Sequence, residues 1–139
     1  MKLTQADPHA HSTMTFDWGS AKWLISPSAT PGAGMSFGQV VLNPGHGHDR
    51  HNHPGVEEVL YVLSGAGSQM LDDHEPFPVH AGEVIYVPRG VFHSTHNTGW
   101  EPLRLIAVYN PGGEEQALTG LPDFKNLAPG EVPNLVRGE

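Results

Sequence analysis

Ten histidines in a chain of 139 residues without a cysteine put imidazole and carboxylate at the centre of any metal chemistry available here. Six of them form three His-x-His pairs: His9/His11, His46/His48 and His51/His53. On an extended strand alternate side chains share a face, so each pair could offer two ring nitrogens to one ion at about 2.0–2.1 Å. Spacing does not choose among the pairs. The first lies in the polar opening "MKLTQADPHAHS", where an isolated motif is weak, and the second in the turn "NPGHGHDR". In a continuous strand, His46 and His48 would face away from His51 and His53, so one pair looks inward unless the backbone bulges.

The third pair opens "HNHPGVEEVLYVLSG". Pro54 and Gly55 can reverse the chain, so that the next strand returns an acid beside the two imidazoles. Glu57 and Glu58 face opposite sides, and only one can serve. Periodicity leaves them open: Leu60 and Val62 would follow one acid's face, Val59, Tyr61 and Leu63 the other's. Both sets are apolar, as expected of a strand covered on both sides. A second segment, "GEVIYVPRGVFHSTHN", places His93 on the strand returning from a Pro-Arg-Gly turn, with Thr95 and Asn97 on the same face. His96 has the opposite parity and, like His74 and His80, is expected at the surface.

The elements that must carry these residues read as short strands. "AKWLIS", "MSFGQVVL", "DRHNH", "EVLYVLS", "GSQMLD", "PFPV", "EVIYVP", "VFHSTHN" and "LRLIAVYN" are each bounded by Gly, Pro, Asn or Asp. No window sustains a helical period, although "GGEEQALTG" could form a turn or two. With 17 Gly and 13 Pro, the composition suits an all-β sandwich or barrel in one domain. We expect residues 1–14 to form a flexible arm, 15–110 the barrel, and 111–139 an extended covering segment stapled by Leu121, Phe124 and Leu127.

Lack of cysteine removes disulfides and thiolate metal sites. A formal net charge of −8, with seven scattered Lys and Arg, argues against nucleic acid as a partner. No apolar stretch approaches the roughly 20 residues of a membrane span, and the first residues lack the apolar centre of a secretory signal. A cytoplasmic protein without a membrane partner is therefore expected.

Two segments resemble the paired motifs of the cupin superfamily. Gly45, His51, His53, Glu58 and Gly65 match the first motif, and Gly82, Pro88, Gly90, His93 and Asn97 the second, with 16 residues between Gly65 and Gly82. The likeness spans residues 36–109 and selects Glu58 over Glu57, since only Glu58 leaves six residues before Gly65. It implies a double-stranded β-helix, or jelly roll, in which His51, His53, Glu58 and His93 converge on one divalent transition metal. Small cupins pair through sheet edges or exchanged termini, so a homodimer is expected.

Three neutral imidazoles and one carboxylate leave a divalent ion with a net charge of about +1 and, in an octahedral shell, about two open positions. Mn, Fe, Ni, Co, Cu and Zn all suit such ligands. The open positions would take a small oxygenated substrate, for dioxygen chemistry or for isomerisation or elimination in a sugar-derived acid. Glu58 could also serve as base, a role that competes with ligation. A non-catalytic binder or sensor is the alternative, and a purely structural metal a third reading. Residues expected to shape the pocket are Phe37 or Gln39, Leu60, Thr95, and Arg104 or Leu105.

Overall fold

The computed structural model describes residues 5–133. The first four residues of the expected arm and residues 134–139 of the expected covering segment lie outside the described residues. In chain order the strands are β1 (Thr13–Phe16), β2 (Gly19–Ile25), β3 (Ser36–Leu42), β4 (Glu57–Ser64), β5 (Ala66–Leu71), β6 (Phe77–His80), β7 (Val84–Val87), β8 (His93–Asn97), β9 (Leu103–Asn110) and β10 (Lys125–Leu127). They form a seven-stranded sheet, ordered β10-β1-β2-β3-β9-β4-β7, facing a three-stranded sheet, β6-β5-β8, with antiparallel pairing throughout. This is the expected jelly roll.

Alternation builds the core. The burial of β4 follows a period of two: Glu58, Leu60 and Val62 point between the sheets, joined from β9 by Leu103, Leu105 and Ala107 and from β3 by Val40 and Leu42. Gly65, at φ +92°, carries the chain from the large sheet into the small one, where a Cβ would meet the Pro102 carbonyl oxygen at 2.8 Å. Gly38 has a different purpose. A Cβ there would lie 2.5 Å from the Trp23 ring, so its absence lets Trp23 lie across β3 and stack on Tyr109, with ring centroids 5.1 Å apart.

Three expectations need correction. "DRHNH" is not a regular strand: His51 makes a single bridge to His93, and Gly47 one to His96. Backbone bonds from Gly45, His48 and His51 to Asn97, Thr95 and His93 hold this irregular segment along β8. Gly45 at φ +80° and the close approach of Gly47 to the Thr95 carbonyl break the pleat. β1 and β10 were also unforeseen, because three or four residues beside Pro and Gly carry little periodicity. Finally, β4 is not covered on both sides within one chain: Tyr61 is 39% exposed and Leu63 43%.

The chain after β9 crosses the barrel mouth. A 3-10 helix spans Glu114–Gly120, Phe124 packs against Phe16 at 5.9 Å between ring centroids, and β10 then pairs with β1. Leu118 and Phe124 rest on the core, Leu121 is more exposed, and Leu127 lies in β10. Ahead of β1, Lys22 donates from Nζ to the carbonyls of Pro8 and His11 at 2.6 and 2.9 Å.

Candidate metal centre

Residues from both sheets and from the irregular segment meet inside the barrel. β4 supplies Glu58, flanked in its own sheet by Tyr109 and Val87. β8 begins with His93, and His51 is bridged to it. His53 is placed by a clasp between two loops: Gly90 N–H donates to the His53 carbonyl at 3.0 Å, and Asn52 Nδ2 donates to the Gly90 carbonyl at 3.2 Å. Glu58, His53 and His93 are buried, and His51 is partly so.

One ring nitrogen from each of His51, His53 and His93 lies within 4.8 Å of the others. Each ring is also held from behind. Nδ1 of His51 donates to the Asp49 carbonyl at 2.7 Å, Nδ1 of His93 to the Val91 carbonyl at 2.9 Å, and Nδ1 of His53 to Glu114 Oε1 at 3.0 Å. Carbonyl and carboxylate oxygens only accept, so Nδ1 carries the proton. A neutral ring then keeps its Nε2 lone pair free. Glu58 Oε2 lies 2.9 Å from His93 Nε2 and 3.5 Å from His53 Nε2. All three atoms are nevertheless buried without an aligned hydrogen-bond partner. Buried polar atoms are rarely left so, and a cation among them would satisfy all three. The donors therefore fit a borderline divalent metal.

Burial and these close neighbours set the charges at the site. Burial works to raise the Glu58 carboxyl, yet the adjacent His53 and His93 rings more than offset it and bring its pKa to about 2. Burial lowers His51. Burial also opposes a charge on His53, but Glu58 and Glu114 outweigh it and raise that ring. Glu57 is answered elsewhere: its oxygens accept from Tyr86 Oη at 2.7 Å and from Asn110 Nδ2 at 2.8 Å on the outer face. That separates the two acids that periodicity left open.

The remaining histidines divide clearly. His46, His74, His80 and His96 are exposed. His48 instead turns inward, its ring 4.0 Å from Trp18 and 5.6 Å from His51. Its pKa falls to about 4, through burial first and then the neighbouring His51. The break at Gly45 and Gly47 allows this, so the parity rule fails for a physical reason. His9 and His11 lie beyond the centre, His11 beside a separate small cavity.

A cavity of about 520 Å³ opens from the three imidazoles toward the covering segment. Leu60, Thr95 and Leu105 line it as expected, whereas Phe37, Gln39 and Arg104 project from the other face of their strands. Thr95 commits its hydroxyl to Gln69 Oε1 at 2.6 Å. Trp18, Tyr109, His48 and Glu114 also reach the cavity. Burial and the nearby carboxylates of Glu58, Glu115 and Glu114 push the Tyr109 phenol well above its ordinary pKa, so it stays protonated. Nothing local marked Glu114, which lies 61 positions from His53.

The chain is similar to known proteins in sequence and fold. The Cupin domain family matches residues 38–109. Protein SchB of Streptomyces halstedii is 37% identical over 94 residues, 67% of each chain. The oxalate-binding protein of Thermotoga maritima is 34% identical over 85 residues, covering 61% of this chain and 69% of that one. Among solved structures, a predicted oxalate decarboxylase from Thermotoga maritima superposes with a TM-score of 0.66 at 25% identity, over 78% of this chain and 99% of that one.

Proposed function

This chain belongs to the cupin domain family, and from that premise we propose that it is a metal-dependent enzyme acting on a small oxygenated organic molecule. His51, His53, Glu58 and His93 are its ligands for one divalent transition metal. One observation carries the reading: three imidazoles hold their Nδ1 protons outward and direct their remaining nitrogens at a common point on the floor of an open cavity. A structural metal normally closes its coordination sphere with protein atoms, and here the ligand set faces open space.

A redox-active ion would supply electron transfer with dioxygen there, and a redox-inert one Lewis acidity toward a carbonyl. The chain's own residues do the rest. Glu58, held ionised with a pKa of about 2, is a good anionic ligand and a weak base, so ligation is the role its surroundings support. Glu114 orients His53 through Nδ1. Tyr109 keeps a neutral phenol against His53, with ring centroids 5.3 Å apart. Trp18 and the covering segment limit the access of water.

Elemental analysis of His51→Ala and His93→Ala tests the ligand set, with circular dichroism as the control for folding. Loss of stoichiometric metal from a folded protein is expected, and full occupancy in both variants would reject the assignment. A second reading, non-catalytic binding, is favoured by the likeness to an oxalate-binding protein. A substrate panel with metal-loaded protein separates the two: ligand binding without product supports the binder. We also propose a homodimer, supported by the apolar outer face of β4 and β7, where Tyr61, Leu63, Val84 and Tyr86 are 39–60% exposed.

A further inference from the structure

The cavity's lining separates two kinds of chelating ligand that the metal centre alone would treat alike. Its floor holds the three imidazoles and Glu58, and its walls are Trp18, Val40, Leu60, Leu105, Ala107 and Tyr109. Leu118 and Leu121 of the covering segment lie at its mouth. The acids at that mouth are Asp17, Asp49, Glu114 and Asp123. Among the described residues, no Lys or Arg lines the cavity.

The cations among the described residues lie elsewhere. Lys22 is tied to the Pro8 and His11 carbonyls. Arg50 donates to the Asp72 carbonyl at 3.0 Å and sits over Phe92. Arg89 lies 3.8 Å from Glu57 on the outer face. Arg104 is exposed on the outer side of β9, and Lys125 is exposed in β10.

This distribution matters because dicarboxylates and phosphates are ordinarily held by fixed guanidinium or ammonium groups. A divalent ion with Glu58 and three neutral imidazoles contributes about one positive charge. Four carboxylates near the mouth outnumber it, and a low-dielectric wall strengthens their repulsion of a dianion. The cavity also exceeds what a two-carbon acid needs: at about 520 Å³ it falls within the roughly 300–1,000 Å³ of pockets for drug-sized ligands. Its flat aromatic walls suit a ring. Trp18 is held rigid in that wall between Phe16 and His48, with ring centroids 4.5 and 4.0 Å away.

We propose that this cavity takes an uncharged oxygen chelator, a vicinal diol or hydroxy-ketone carried on an aromatic or otherwise apolar body, and discriminates against small dianions such as oxalate. The proposal rests on the metal-centre reading above. A neutral hydroxyl pair can release a proton on chelation, without bringing two charges past the acidic mouth. Its apolar body packs against the Leu60, Leu105 and Ala107 wall, under Leu118.

Calorimetric titration of Zn(II)-reconstituted full-length protein with 2,3-dihydroxynaphthalene and, separately, oxalate tests it, after metal content has been measured on the same sample. The diol is expected to bind at least about tenfold more tightly than oxalate. Asp17→Lys, which changes an exposed side chain at the mouth, is expected to improve oxalate binding about three- to tenfold and leave the diol unchanged. Metal-loaded protein that binds oxalate as well as the diol, or binds neither, overturns the substrate class and leaves the metal centre standing. Failure to load metal overturns the metal centre, and this proposal with it.

Discussion

At the scale of single residues, His53 depends on a side chain remote from it in sequence. Glu114 holds the Nδ1 proton, and such outer partners commonly change metal affinity by about 10- to 100-fold. Glu114→Ala is expected to weaken metal binding by that order in competition with a chromogenic chelator. Glu114→Gln keeps an accepting oxygen and should restore most of the loss; equal behaviour of the two variants would exclude an orienting role. His48 carries a pH signature. With its folded pKa at about 4 against about 6.5 in the unfolded chain, the unfolded state binds more protons between those values. Its contribution to stability is therefore complete above about pH 6.5 and declines as pH falls toward about 4, by at most about 3 kcal/mol. Metal-free protein should show this loss in denaturant titrations, and His48→Gln should flatten it.

Elements determine how the residues meet. β4 turns Glu58 inward and Glu57 outward, β8 brings His93 across from the opposite sheet, and the irregular segment between β3 and β4 supplies the other two imidazoles. Glycine shapes this arrangement where side chains would collide. Gly38 leaves room for Trp23 to cross β3 toward Tyr109. Gly38→Ala forces a Cβ to within 2.5 Å of the Trp23 ring and 2.8 Å of the Lys22 carbonyl. Overpacking of that kind costs about 1–3 kcal/mol, which a lowered denaturation midpoint would register. A midpoint equal to that of the unchanged chain would show that the indole moves freely and does not brace the cavity wall.

At the scale of the whole molecule, the two faces of the large sheet have different tasks. The inner face carries the core and the cavity, and the outer face of β4 and its edge neighbour β7 leaves four large apolar side chains in water. Edge strands with such faces are prone to pairing, and a two-fold interface with a second copy would cover both. Sedimentation should therefore show a dimer, and Val84→Glu with Tyr61→Asp should shift it to monomer without loss of metal. A monomeric unchanged chain would remove the proposal. No helix among the described residues is long and apolar enough to cross a membrane, which agrees with the absence of a long apolar run.

The residue spacings by themselves determined a great deal. Nearly every strand from β2 to β9 follows from alternation between turn residues, and Gly45, Gly65, Gly82 and Gly90 all take the positive φ that their turns require. Alternation alone left three His-x-His pairs and two acids open, and it was the resemblance to the paired cupin motifs that singled out His51, His53, Glu58 and His93. Only the tertiary structure separated Glu57 from Glu58 by partners, with Tyr86 and Asn110 taking the first and His53 and His93 surrounding the second. It also brought His48 inward, where two glycines interrupt the pleat, and carried Glu114 and the acidic mouth to the cavity above the three imidazoles. Those meetings join positions dozens of residues apart. They come from one sheet packing on another, and a period of two along a strand holds no information about which distant residue will lie opposite.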